Sequence, residues 1–227
     1  MSSAASGAKR PYNAQKRRER AEEERRDTRT RVIEAATRLF EVKGYRGTTM
    51  ADIAREAGVA MQSVYTAGRS KADLLNAAVG RAVAGDDREV FVHDRPGFAA
   101  LATEPNLVRR VHGMAALICE IQQRSEPMQV AQREAAASDP SMMVSLDTAH
   151  RLRLETFRAV IGLLPADQLR STPDACADTM WAVASAEVFL LFRRVRGWSW
   201  SEIQAWLGPI LVDLLLVPQP PDVNEGA

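Results

Sequence analysis

Apolar residues recur at helical spacing from Val32 to Leu215, and no run alternates apolar and polar residues long enough to make a strand. That periodicity is the tightest constraint the sequence sets. A segment with one apolar stripe can bury it only against another such segment, so the fold class is all-α. With 227 residues the chain can hold one or two domains and a sizeable core.

Start and stop signals divide the periodic pattern into helices. Over 28–44, Val32, Ile33, Ala36, Leu39 and Phe40 share a face, and Gly44 ends the helix. Thr48 or Thr49 caps the next, whose inner face is Met50, Ile53, Ala54 and Ala57; Gly58 ends it. A short helix covers 60–66. Ser70, with Asp73 three positions on, caps a fourth that turns Leu74, Leu75, Ala78 and Val79 inward. A loop containing Pro96 and Gly97 follows, over 86–103. Beyond it, Leu107, Val111, Met114, Leu117, Ile118 and Ile121 make one stripe, and Ser125-Glu126-Pro127 opens a separate helix. Asp139-Pro140 opens a helix to about Leu164, and Thr172-Pro173 opens one to Arg196, closed by Gly197. Ser199 and Glu202 form a capping box for the last helix, which Pro209 bends and which ends near Val217.

Charge is unevenly spread. Residues 1–31 hold ten Lys or Arg against five Asp or Glu, while the whole chain is only +1. Such a basic extension suits a polyanion, although its interleaved Arg and Glu equally suit a solvated helix with i,i+4 pairs. Residues 1–12 read as disordered, and for 13–26 helix and coil both stay open. The expected organisation is a basic, flexible extension 1–27, a head 28–84, a helical body 85–217 and a flexible tail 218–227.

Within the head, Thr49–Ala57, the turn Gly58-Val59 and Ala60–Thr66 form a helix-turn-helix. A recognition helix needs one face to pack and another to enter the major groove. Val64 points in, leaving Met61, Gln62, Ser63, Tyr65 and Thr66 to point out. Lys71 stands at a helix start, where backbone N–H groups and an ammonium can meet one phosphate.

The stretch from Arg31 to Leu75 resembles the N-terminal DNA-binding domain of the TetR family of transcriptional regulators. The matching features are Ala35-Ala36, Leu39-Phe40, Gly44-Tyr45, Thr48-Thr49, Ile53-Ala54, Ala57-Gly58-Val59, Val64-Tyr65 and Ser70-Lys71 with Leu74. The resemblance implies a homodimer on a near-palindromic double-stranded operator, a repressor released by a small-molecule effector, with no cofactor. It puts Met61 and Gln62 near base edges, Ser63, Tyr65 and Lys71 on phosphates, and Thr49 at the cap beside the backbone. Two positions depart from the family pattern. Gly68 stands where a bulky side chain is usual, and Ala60 where a small polar residue is frequent. Gly68 either removes packing or permits a left-handed helix end.

In the body, two apolar bands are available for dimerisation across a two-fold axis as a four-helix bundle. One carries Met180, Ala184, Val188 and Leu191, the other Ile203, Trp206, Ile210 and Leu214. Burial of both bands within one protomer is the alternative. The resemblance also implies an effector cavity among the Leu107, Pro140 and Thr172 helices. Candidate linings are Met114, Cys119, Met143, His150, Phe157 and Trp181, residue types that taken singly more often fill a core. The arginines of the run His150–Val160 are expected to face water.

Other classes find little support. His93, His112 and His150 lack metal-ligand spacing, so no metal site is expected. No G-x-S-x-G or phosphate-loop motif occurs, and Asp86-Asp87 reads as a solvated loop pair, so the chain is not expected to be an enzyme. A protein-interaction module that keeps the helix-turn-helix only as scaffold is the remaining alternative, and Gly68 is what favours it. Cys119 and Cys176 make no disulfide framework, which suits a cytoplasmic location. The stretch Ile210–Val217 is too short to span a bilayer, and no membrane partner is expected.

Overall fold

The structure, a computed structural model, describes residues 10–86 and 92–218. The expectations for 1–9 and for the tail beyond Pro218 lie outside the described residues, as does Asp87. The chain divides into two compact units, one reaching Ala78 and the other starting at Val79. The division falls inside a helix, not after it at residue 84 as expected.

The head is built on α1 (Arg10–Lys43), α2 (Met50–Ala57), α3 (Met61–Ala67) and the first part of α4 (Lys71–Ala84). The helix expected over 28–44 continues back to Arg10, so residues 10–12 are helical rather than disordered. Its first half has no apolar stripe. Residues 15–27 are almost wholly exposed and carry pairs such as Gln15–Glu19 at 3.1 Å and Arg26–Glu22 at 3.5 Å. The stripe begins at Val32, and Val32, Ala35 and Ala36 are fully buried with Ile53, Val64, Leu74 and Leu75.

In the second unit, Pro96 occupies the first turn of a short helix, α5 (Pro96–Leu101), where a loop was expected. The spine is α6 (Leu107–Ala136), capped by the Asn106 side chain. It runs straight through Pro127, where two helices were expected. Proline there leaves the Gln123 carbonyl without its helical N–H and costs on the order of 3 kcal/mol. Burial of Met128, Ala131 and Ala135 beyond it offsets that cost. Next come α7 (Pro140–Ile161), capped by Asp139, and α8 (Pro173–Val183), capped by Thr172.

The helix expected to run from Thr172 to Arg196 is broken. Ala184 leaves helical geometry, and the Ser185 hydroxyl accepts from the Val188 N–H at 3.3 Å, starting α9 (Ala186–Leu190) afresh. A wide turn over Leu191–Val195 follows, closed by the Arg196 N–H to the Leu191 carbonyl at 3.1 Å. The stretch Pro173–Val195 is apolar and long enough to cross a membrane by length and composition alone, which Ile210–Val217 is not. Here it is interrupted, and Cys176, Ala177, Met180 and Phe189 are buried in the helical core. The last helix, α10 (Trp200–Leu215), begins with the expected Ser199–Glu202 capping box and packs on α6. Ile203, Leu207, Leu211 and Leu215 form its fully buried stripe. An isolated antiparallel bridge between Leu169 and Leu216 ties down its end.

Candidate functional site

Thr49 starts α2. Its Oγ1 accepts from the Asp52 N–H at 3.1 Å, and the Asp52 carboxylate accepts from the Thr49 N–H at 3.2 Å. The Thr49 hydroxyl, donating to the Asp52 carboxylate at 2.7 Å, and secondly the Thr49 N–H hold that carboxyl below its ordinary value. Gly58 ends α2 at φ 65°, a left-handed conformation that glycine adopts without strain. The chain turns at once into α3, which has no side-chain cap because Ala60 supplies no oxygen. Arg38 of α1 holds α2 by an ion pair with Glu56 at 3.0 Å.

Val64 anchors α3 and is fully buried, while Met61 and Tyr65 are 39% and 46% exposed. Gln62 and Thr66 are exposed beside them, and Ser63 is half-buried. The Thr66 hydroxyl donates to the Gln62 carbonyl at 2.9 Å, so its proton is engaged within α3. The expected outward face thus consists of Met61, Gln62, Tyr65 and Thr66 on one short helix, with Thr49 exposed at the cap of α2.

Lys71 has a different setting from the one expected. Its ammonium donates to the Tyr45 carbonyl at 2.7 Å and the Thr48 carbonyl at 2.9 Å, and lies 4.1 Å from the centroid of the Tyr45 ring. It braces the corner between α1 and α2. The exposed cation beside the start of α4 is Arg69, which the sequence reading passed over.

Gly68 also has a different cause from either one expected. Its backbone is extended, at φ −158°, so no left-handed end is made. A Cβ there would stand 2.6 Å from Leu74 Cδ2 and 2.8 Å from Cγ. Leu74, fully buried, occupies the space a bulkier residue would fill. The packing is not missing but supplied from α4, which removes the feature that favoured a scaffold-only head.

The second unit holds a cavity of about 620 Å³, a size usual for small-molecule sites. Its apolar wall includes Val79, Val83, Phe98, Ile118, Ile121 and Phe157. Its polar lining includes Gln122, Gln129, Gln132, Arg133, His150 and Arg153. Of the expected linings, His150 and Phe157 reach it. Met114 and Cys119 do not and are buried in the core, and Met143 is exposed instead. Burial, and secondarily Glu120, pushes the Cys119 thiol up to about 11. Trp181 stands beside the lining. Its indole N–H donates to the His150 carbonyl at 3.1 Å, and the Arg153 guanidinium lies 4.8 Å from its ring centroid. Arg153 therefore does not face water as expected, whereas Arg151 and Arg158 are exposed. Arg133 donates from Nη2 and Nε to the Glu187 carboxylate at 2.6 and 3.2 Å.

The apolar bands split between core and surface. Met180, Ala184 and Ile203 are fully buried within the protomer, so they cannot face a second copy. Val188, Trp206 and Ile210 are half-buried, and Trp206 packs on Phe192 at 4.6 Å between centroids. Leu191 and Leu214 remain 60% and 41% exposed, and Val195, which the sequence reading missed, 73%.

Residues 32–78 match the family model described as "Bacterial regulatory proteins, tetR family". The HTH-type transcriptional regulator TtgR of Pseudomonas putida is 45% identical over 58 residues, 26% of this chain and 28% of TtgR. The aligned stretch thus spans little more than a quarter of that relative. Among solved structures, NalD, the secondary repressor of the MexAB-OprM multidrug efflux pump in Pseudomonas aeruginosa, superposes with a TM-score of 0.58 at 18% identity. That match covers 87% of this chain and 100% of NalD. The SmeT–triclosan complex gives 0.63 at 17% identity, covering 86% and 98%. EbrR, a multidrug binding protein complexed with imidazole, gives 0.59 at 22% identity, again covering 86% and 98%. At such identities the likeness is one of fold, and it extends through the body.

Proposed function

We propose, from the premise that this chain belongs to the tetR family of bacterial regulatory proteins, that it is a homodimeric repressor released from a near-palindromic operator by a small molecule. The observation that carries the proposal is the pairing of two features in one chain. An anchored short helix turns Met61, Gln62 and Tyr65 outward, and a cavity of about 620 Å³ lies in the second unit. Met61 and Gln62 read base edges; Ser63, Tyr65 and Thr66 meet the backbone beside the Thr49 cap. Arg69 supplies a phosphate contact, with Lys71 setting the angle of the corner. NalD is by its description a repressor, and SmeT and EbrR are described with small molecules bound, which supports the same reading here.

The partner copy docks on Leu191, Val195 and Leu214, flanked by Val188, Trp206 and Ile210. Exposed leucine and valine side chains are what a second protomer covers. The proposal assigns the chain no catalytic step and places it in the cytoplasm with the DNA.

Release follows from a population shift. DNA favours a separation of the recognition helices near one turn of the duplex, roughly 34–36 Å, or a multiple of it. An effector that prefers another separation weakens DNA binding by its differential affinity. α4 is the lever, since Val79 and Val83 line the cavity while Lys71 at its start holds the Tyr45–Thr48 corner.

A gel-shift titration on the chain's own upstream DNA tests this. Binding at low salt that weakens steeply as salt rises is the expected result. Absence of any shift at low salt, or a monomer in sedimentation at micromolar protein, overturns the reading.

A further inference from the structure

The cavity is not uniform. Along α6 its lining passes from Ile118 and Ile121 to Gln129, Gln132 and Arg133. At 1.5 Å per residue that is on the order of 20 Å of helix. One end is a hydrocarbon wall completed by Val79, Val83, Phe98 and Phe157; the other carries two guanidinium groups.

Those groups are not fully used. Arg133 spends Nε and Nη2 on Glu187, and Arg153 gives one bond to the Trp181 carbonyl at 3.3 Å. Arg133 Nη1 and Arg153 Nε are buried with no hydrogen-bond partner among the described residues. A buried donor left unpaired is costly, more so when it is charged. Two positive charges face one carboxylate, Glu187, leaving an excess of one. Glu155, also in the lining, is not among the charges that act on Arg153, which are Glu187 and Arg133. Burial opposes the charge of Arg153, the nearby Arg133 adds to that, and Glu187 only partly relieves it.

We propose that the effector is an amphipathic organic anion, a carboxylate on an apolar body, whose head pairs with the guanidinium groups of Arg133 and Arg153 and whose body lies along Ile118, Ile121 and Phe157. This rests on the reading of the cavity as the effector site and adds the chemical class of its occupant. A carboxylate at that end offsets the excess charge and supplies acceptors to the two guanidinium groups. Planar guanidinium forks suit that geometry. A neutral body of the same shape gains only the apolar wall, and a cation adds a third positive charge to an already positive end.

Titration calorimetry with dodecanoate and dodecylammonium below their micellar concentrations and dodecan-1-ol below its solubility limit separates these cases. Dodecanoate is expected to bind at least tenfold more tightly than dodecan-1-ol, and dodecylammonium more weakly than either. In R153M and R133M the preference for dodecanoate over dodecan-1-ol is expected to collapse while dodecan-1-ol binding persists, which also shows that the cavity is still formed. Dodecan-1-ol or dodecylammonium binding as tightly as dodecanoate to the unmodified chain overturns the inference, as does binding of none of the three. Neither result touches the DNA-binding reading, which is judged by the ligand-free gel shift.

Discussion

The ammonium of Lys71 donates to the carbonyl of Tyr45 at 2.7 Å and lies over the same residue's ring at 4.1 Å. With its bond to the Thr48 carbonyl at 2.9 Å, it fixes the chain between α1 and α2 from the start of α4. Thr48, fully buried, adds its hydroxyl to the Leu39 and Gly44 carbonyls at 3.2 and 2.9 Å. Lys71→Met strips a charged donor from two carbonyls and is expected to cost about 1–3 kcal/mol in urea unfolding. Its effect on DNA should be a weaker complex at every salt concentration with an unchanged slope, because geometry rather than a phosphate contact is lost. Arg69→Gln should instead reduce the slope of log K against log salt by about one unit. The reverse assignment of slopes would return Lys71 to the phosphate.

Gly68 makes a sharper case, since its backbone is ordinary and only space is at issue. With φ at −158° an alanine suffers no backbone strain, yet its Cβ would lie 2.6 Å from Leu74 Cδ2. Gly68→Ala is expected to destabilise the head by about 1–3 kcal/mol through overpacking. Leu74→Ala removes a buried leucine and should cost about 2–5 kcal/mol alone. The double variant should be less destabilised than the sum, because each change relieves the other. Additive losses in urea midpoints would show that Leu74 does not fill the Gly68 site.

How far the sequence could be read follows from which signals were local. The cap at Thr49, the Ser70–Asp73 and Ser199–Glu202 capping boxes, the Gly58 turn and the inward Val64 are settled within a few residues, and all appear where the spacing puts them. Two signals misled because tertiary burial outweighed them. Pro127 looked like a helix start, but burial of Met128, Ala131 and Ala135 carries α6 past it. The face continues past Pro127, and Ile118, Gln122, Gln129 and Gln132, at helical spacing, carry it from apolar to polar where it lines the cavity. Ser185 lies inside what the periodicity makes one long helix, yet it recaps the chain. The roles of Lys71 and Arg153 were beyond local reading, since their partners lie at Tyr45 and Trp181, far along the chain.

Cys119 offers a chemical test of the core. Burial, with Glu120 adding to it, lifts its thiol to about 11. At pH 8 its thiolate fraction is then about a hundredfold below that of a free thiol. Alkylation by iodoacetamide, followed by peptide mass analysis, should leave Cys119 unmodified in the folded chain and label it promptly in urea. Rapid labelling without denaturant would mean that the body opens at α6, and would reopen Cys119 as a lining residue of the cavity.

The Arg133–Glu187 pair predicts a pH dependence of defined sign. Burial works against ionisation of Glu187, but the hydrogen bond from Arg133, a backbone hydrogen bond and the charges of Arg133 and Arg153 outweigh it, so the carboxyl lies below its ordinary value of 4.5. A depressed acid stabilises the fold above its unfolded-state value and loses that contribution as pH falls through the folded one. The Glu187 side chain is 50% exposed, so solvent screening keeps the contribution within about 1 kcal/mol. The stability difference between the unmodified chain and Glu187→Gln should therefore be flat from neutral pH down to 4.5 and shrink only below it. The same variant frees Arg133 from its internal acceptor, so dodecanoate should bind it more tightly than the unmodified chain, with dodecan-1-ol unaffected. A stability difference that grows on acidification would mean that Glu187 is held protonated, and the charge balance at the polar end of the cavity would have to be redrawn.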